Sequence, residues 1–234
     1  MQTIWRYLPP ITTDGRLQMA IDSWLLEQHR LGKQPPCIRF YTWSRPTISL
    51  GYHQHRYPQH WQQLEGIDLV RRPTGGRAVL HEQDLTYMIV ISGLSGRITD
   101  VYQYLCQFLI KGWRSLGLEL NYGHGGKEYL NNPNCLATST PADLVTSQGQ
   151  KLIGSALLKQ GNYYLQHGSI QLSQNTQLFT QVFGTPPEVY PSLNYDLDTI
   201  INALVEAVKD TFEIELKSEP LSAREWQEIK NLLK

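Results

Sequence analysis

The sequence predicts an α+β domain in which a mixed, largely antiparallel sheet is flanked by helices. Three observations carry that expectation. Runs rich in β-branched and aromatic residues, such as CIRFYTW and LTYMIVIS, are interspersed with stretches whose apolar residues recur at helical spacing. Gly149-Gln150 and Gly161-Asn162 stand at strand starts, where hairpin turns form. At 234 residues and 41% hydrophobic content, the chain can bury a full core without disulfide or metal staples.

Taken in order, the first element is a helix. Thr13 and Asp14 are cap candidates, and Leu17, Ile21, Trp24 and Leu25 follow at helical spacing. Strand candidates come next: CIRFYTW, TISLGY, IDLVRR and LTYMIVIS. A second helix is predicted from about Thr99 to Leu116, with Val101, Leu105, Phe108, Leu109 and Trp113 on one side. ADLVTS, QKLIGSALL and NYYLQHGSIQL complete the strands. A helical C-terminal segment is expected from about residue 196, and its last helix opens with Ser222 and Glu225 in capping-box spacing. No repeat, low-complexity tract or long linker divides the chain, so residues 1–234 read as one catalytic-size domain.

Charge excludes some functions. Lys+Arg and Asp+Glu number 21 each and the isoelectric point is near 7.1, which leaves no footprint for nucleic acid or an anionic membrane. Cys37, Cys106 and Cys135 form no CxxC pair and no even framework, as in a reducing compartment. No apolar run has signal-peptide or membrane-span length, so a cytoplasmic location is expected.

The densest local chemistry is RRPTGGRAVLH. It contains neither a Walker loop nor GxGxxG. A turn explains Gly75 and Gly76, but Arg71, Arg72, Arg77 and His81 around it suggest a site for an anion or a carbonyl. A second constellation pairs Cys135, in the polar loop-like NNPNC, with Lys151 on the strand after Gly149. A thiolate needs a nearby positive charge, which Lys151 supplies if the two meet in space. Cys37 and Cys106 read as buried hydrophobes. In QHGSI, His167 and Gly168 read either as a polar strand end or as a place of close ligand approach beside Lys151. His53 and His55 have i,i+2 spacing but no evident third ligand, so no metal site is expected. His29, His60 and His124 read as surface residues.

RRPTGGRAVLH with DLTY, then DLV, GQKLIGSA and QHGSI, resembles the lipoate–protein ligase and octanoyltransferase superfamily, which includes biotin–protein ligases. MAIDSWLLE and RFYTWSRPTISLGYHQ extend the match upstream, over roughly Trp5 to Leu172. The resemblance implies a fold related to class II aminoacyl-tRNA synthetase cores. It also implies attachment of an octanoyl or lipoyl chain to a lysine of a lipoyl domain or of the glycine-cleavage H protein. The GGRAVLH loop would then form one wall of an acyl tunnel, with Gly75 and Gly76 against the chain. Gly154, Ser155 and Ala156 of the GQKLIGSA strand would form another, with Lys151 at the carbonyl end.

Two chemistries compete within that superfamily. An octanoyltransferase takes its chain from octanoyl-acyl carrier protein through a cysteine and needs no cofactor; Cys135 falls where one subgroup carries its nucleophile. A lipoate–protein ligase uses ATP and Mg to form an acyl-adenylate, and Lys151 would bind it by charge. The residues after the Pro191 region are too few for the added C-terminal domain of many ligases. A non-catalytic acyl-binding protein is the third possibility that the resemblance leaves open.

Overall fold

Helix α1 (Gly15–Arg30) starts where the cap residue predicts: the Asp14 side chain accepts the Leu17 N–H at 3.0 Å. The structure, a computed structural model, describes residues 3–123, 143–187 and 194–233. Within them, strand β2 (Cys37–Trp43), β3 (Thr47–Leu50), β4 (Asp68–Arg71), β6 (Asp84–Ser92), β8 (Leu144–Thr146), β9 (Lys151–Gln160) and β10 (Tyr163–Gln171) fall on the strand candidates. Helices α2 (Ile98–Ser115), α4 (Leu197–Phe212) and α5 (Ala223–Asn231) fall on the helical stretches.

Besides a short 3-10 turn at Gln59–Gln63, five further elements complete the fold among the described residues. They are β1 (Thr3–Thr13), β5 (Val79–His81), β7 (Leu120–Tyr122), α3 (Thr176–Phe183) and β11 (Ile214–Ser218). The large sheet has the order β11-β1-β2-β6-β10-β9-β8-β7, and a small one the order β4-β3-β5. β1 runs parallel to both β11 and β2, and β3 parallel to β4; the other pairings are antiparallel. The sheet is therefore mixed and largely antiparallel. Pro9 and Pro10 sit at a register shift between Leu8 and Ile11, where the missing N–H groups break no ladder bond.

The two faces of the large sheet bury different helices. Ile38, Phe40, Tyr87 and Ile89 pack with Leu105, Phe108 and Leu109 of α2 and Leu204 and Val208 of α4. On the other face, Leu8, Tyr41, Met88 and Val90 pack with Ile21 and Leu25 of α1 and Ile229 of α5. A third cluster joins Ile48, Leu50 and Leu80 of the small sheet to Trp61, Phe179 and Val182. No helix among the described residues is long and apolar enough to cross a membrane.

An ion pair fastens α5 to β1. Arg6 Nη1 lies 2.7 Å from Glu225 Oε1, and Glu225 also closes the capping box with Ser222. Partial burial pushes the Glu225 carboxyl up, but hydrogen bonds from Arg6 and the Ser222 backbone outweigh it and hold the group at about 2. Its contribution, on the order of 1 kcal/mol after solvent screening, is complete above the ordinary value of 4.5 and is lost as pH falls toward 2. Thermal midpoints of the wild type and Glu225→Gln are accordingly expected to differ near neutral pH and to converge on acidification.

Candidate active site

The chain between β4 and β5 is folded inward by its own arginines. Arg72 is buried, and its guanidinium donates to the carbonyl oxygens of Ser49 at 2.8 Å, Gly75 at 2.7 Å and Arg77 at 2.7 Å. Arg71 reaches the other way, to the carbonyls of Gly51 at 2.6 Å and Gln54 at 3.0 Å. Five donors in a rigid fork suit this bundling of peptide oxygens. Gly76 has φ +91°, and Gly51 is pressed against it: a Cβ on Gly51 would lie 1.9 Å from the Gly76 carbonyl oxygen. Gly51→Ala must push these backbone segments away from each other, with no flexible side chain between them to yield. The expected cost is about 3 kcal/mol, read as a lower urea midpoint.

Beneath this loop, between the large sheet and the small one, lies a half-open cavity that encloses about 390 Å³ of space, part of it continuous with solvent. Seven of the residues singled out in the sequence line it. Arg72 and His81 come from the small-sheet side; Gly154, Ser155 and Ala156 come from β9, and His167 and Gly168 from β10. Met19, Tyr41, Trp43 and Val79 supply much of its apolar surface. Arg71, Gly75, Gly76 and Arg77 belong to the loop that shapes the cavity and are not among its lining residues.

Lys151 is buried at the start of β9. Its Nζ is 3.0 Å from Asp143 Oδ1, and both side chains are almost wholly enclosed. The side chain folds over Gly154, where a Cβ would lie 3.0 Å from Lys151 Cε and 3.3 Å from Nζ. The glycine therefore clears the space that the ammonium group occupies. Gly168 has a comparable reason within the protein: a Cβ there would meet Ser155 Oγ and Tyr87 Cε1, each at 2.6 Å. It pairs with Ser155, while Ser169 pairs with Gly154.

His167 ends a buried charged network. Arg39 donates to Asp22 Oδ1 at 2.6 Å, Tyr41 OH to Asp22 Oδ2 at 3.1 Å, and His167 Nδ1 lies 2.8 Å from Asp22 Oδ2. Burial alone would push the Asp22 carboxyl up, but the Arg39 charge and the His167 hydrogen bond bring it below its ordinary value. Burial pushes His167 down despite the carboxylate beside it. The imidazole is thus neutral near pH 7, with Nδ1–H donating to Asp22 and Nε2 accepting from the Thr74 hydroxyl at 2.6 Å. Through Thr74 the network reaches the arginine-bundled loop.

Asp22, Arg39 and Thr74 were not singled out as site residues in the sequence. A signal exists in α1: Gln18 and Asp22 stand one turn apart within a buried stripe that is otherwise apolar except for His29, and both are fully enclosed. Arg39, likewise, interrupts an apolar strand.

Cys135 and His124 lie outside the described residues. Cys37 and Cys106 are buried, and burial pushes both thiols up to about 12, so neither supplies a thiolate at neutral pH. His60 is exposed, as are His53 and His55. His29 corrects the surface expectation: it is buried, with Nδ1 donating to the Gln34 carbonyl at 2.8 Å and Nε2 3.0 Å from Ser92 Oγ. Its helical position follows the apolar stripe, which a polar residue type conceals. Among the described residues, no group of three or more His, Cys, Asp or Glu side chains is placed to hold a metal.

A family model described as "Lipoyl protein ligase A/B catalytic domain" matches residues 14–217. The chain is 32% identical to the octanoyltransferase LipM of Oceanobacillus iheyensis, over 98% of this chain and 93% of that protein. In fold it is similar to protein Ta0514 of T. acidophilum with bound lipoic acid, at TM-score 0.81 and 21% identity, covering 100% of this chain and 95% of the other. It is also similar to lipoate-protein ligase A bound with ATP, at TM-score 0.80 and 22% identity, covering 99% and 94%.

Proposed function

The chain belongs to the lipoyl protein ligase A/B catalytic domain family, and from that premise we propose that it is an octanoyltransferase that acylates a lysine of lipoyl-domain proteins. Similarity to a protein named as an octanoyltransferase over nearly the whole of both chains favours transfer over nucleotide-driven ligation. The structural observation that carries the reading is Lys151. Its ammonium group is enclosed, held by Asp143, and seated over Gly154; Gly154 lines the largely apolar cavity, while Lys151 is not itself a lining residue. A fixed positive charge beside an apolar slot suits a thioester carbonyl on an alkyl chain. Burying the six methylenes of an octanoyl group contributes on the order of 5 kcal/mol, enough to select against short acyl groups.

In this reading the Cys135 thiolate attacks the carbonyl of octanoyl-acyl carrier protein. A carbon–sulfur bond forms, the carrier's sulfur leaves and takes up a proton, and the octanoyl chain rests on the enzyme as a thioester. Lys151 favours the thiolate and stabilises charge on the carbonyl oxygen. The acceptor's lysine amine then attacks, loses a proton, and expels the Cys135 sulfur as an amide forms. Exchange of one thioester for another is nearly isoenergetic, so no cofactor is required. The acceptor is a lipoyl domain, such as that of a 2-oxoacid dehydrogenase or the glycine-cleavage H protein. A soluble carrier-protein donor and the need for a reduced Cys135 go with a cytoplasmic location.

The test is transfer without nucleotide. Purified protein, octanoyl-acyl carrier protein and a lipoyl domain are expected to give octanoylated domain, seen by intact mass, with no ATP present. Product formed only from free octanoate plus ATP and Mg would mean a ligase. Octanoate binding with no product under either condition would mean a non-catalytic acyl-binding protein.

A further inference from the structure

Ser49, His81 and Asp84 are not used in the Lys151 chemistry, yet they form a second reactive arrangement against the same cavity. Ser49 Oγ lies 2.8 Å from His81 Nε2, and His81 Nδ1 lies 2.7 Å from Asp84 Oδ2. The partners fix the protons. Asp84 Oδ2 also accepts from the Ser169 hydroxyl and, at 3.2 Å, from the Thr86 hydroxyl, and an ionised carboxylate is an acceptor only. His81 therefore donates from Nδ1, and its Nε2 is left to take the proton of Ser49.

Two neighbours complete the arrangement. The Trp43 indole stacks on the His81 ring at 4.0 Å between centroids and 20° between planes, which gives the imidazole one orientation. Arg72 Nη1 donates to Ser49 Oγ at 3.3 Å, which sets a fixed positive charge beside the nucleophile. Ser49, His81 and Arg72 all line the cavity. A nucleophile, a base and a carboxylate that orients the base are the core of serine acyl transfer, which is recognised by geometry and not by chain order. Strand pairing also brings the cluster toward the acyl site. Thr86 pairs with Ser169, and Ser169 with Gly154, the residue beneath Lys151.

We propose that Ser49, His81 and Asp84 form a serine acyl-transfer triad that makes this protein a slow hydrolase of acyl thioesters and esters. Ser49 Oγ attacks the acyl carbonyl and its proton passes to His81 Nε2. The thiol or alcohol leaves with that proton, and an ester on Ser49 remains. Water, deprotonated by His81, then attacks the ester; the carboxylic acid departs and the Ser49 hydroxyl is restored. The choice of an eight-carbon acyl substrate rests on the transfer reading above, whereas the serine chemistry does not.

The experiment uses the full chain, with and without Cys135→Ala, and two probes. A fluorophosphonate is expected to add once to either protein, and peptide mapping is expected to place the label on Ser49. His81→Asn should slow labelling about 100-fold, the scale of a lost general base. The Cys135→Ala protein is also expected to release octanoate from octanoyl-N-acetylcysteamine faster than buffer does, and Ser49→Ala in that background should abolish the release. Mapping on the unaltered Ser49 decides the matter even if Ser49→Ala fails to fold. Absence of label while a known serine esterase is labelled, label on another residue, or hydrolysis no faster than buffer would each overturn the proposal. Octanoylation of a lipoyl domain by the wild type is scored separately, so failure of the triad and failure of the transfer reading are distinguishable.

Discussion

Alanine in place of Lys151 is expected to lower kcat/KM for octanoyl transfer by about a thousandfold, equivalent to roughly 4 kcal/mol of transition-state stabilisation. The ammonium group is asked to favour a thiolate and to stabilise a carbonyl oxygen. Removing it also takes a cation from the enclosed Asp143 carboxylate, 3.0 Å away, so stability falls as well. A Lys151→Ala, Asp143→Asn double variant separates the two effects. Its urea midpoint should recover toward that of the wild type while its kcat/KM stays low. Recovery of both would make Lys151 a structural residue only.

The largest loss of stability is expected from Arg39→Met. Asp22 is wholly enclosed and receives the Arg39 guanidinium at 2.6 Å. Stripping one partner from a buried pair costs about 3–5 kcal/mol, because the remaining charge stays out of water. Adding Asp22→Asn should return a large fraction of that loss, a coupling that a double-mutant cycle in urea measures directly. The variant should also raise KM more than it lowers kcat at a temperature where it is folded. Asp22 orients His167, and His167 holds Thr74 of the loop above the cavity.

Much of this arrangement could be read in the sequence wherever a local rule and the tertiary environment agree. Asp14 capped α1 and the Ser222–Glu225 box capped α5 as expected, since side-chain caps depend on only three or four residues. β1 and β11 were less legible. β1 carries two prolines that count against a strand, and β11 gains its strand form by pairing with β1 more than two hundred residues away. Loop chemistry was half legible: residue types show that Arg71 and Arg72 cluster with glycines, but not that both guanidiniums turn onto carbonyl oxygens. The Asp22–Arg39 pair joins a helix to a strand, and no spacing rule reports such a contact. Lys151, Gly154 and His167 were singled out because they stand in short motifs whose order the family resemblance supplies; the structure places Gly154 and His167 in the cavity lining and Lys151 beside Gly154.

Intact-mass analysis of the purified chain after mixing with octanoyl-acyl carrier protein, with no nucleotide present, goes most directly to the central claim. The expected result is one octanoyl adduct that maps to Cys135, vanishes in Cys135→Ala, and disappears when a lipoyl domain is added. No adduct on the wild type, with octanoylated domain appearing only from free octanoate and ATP, would contradict it.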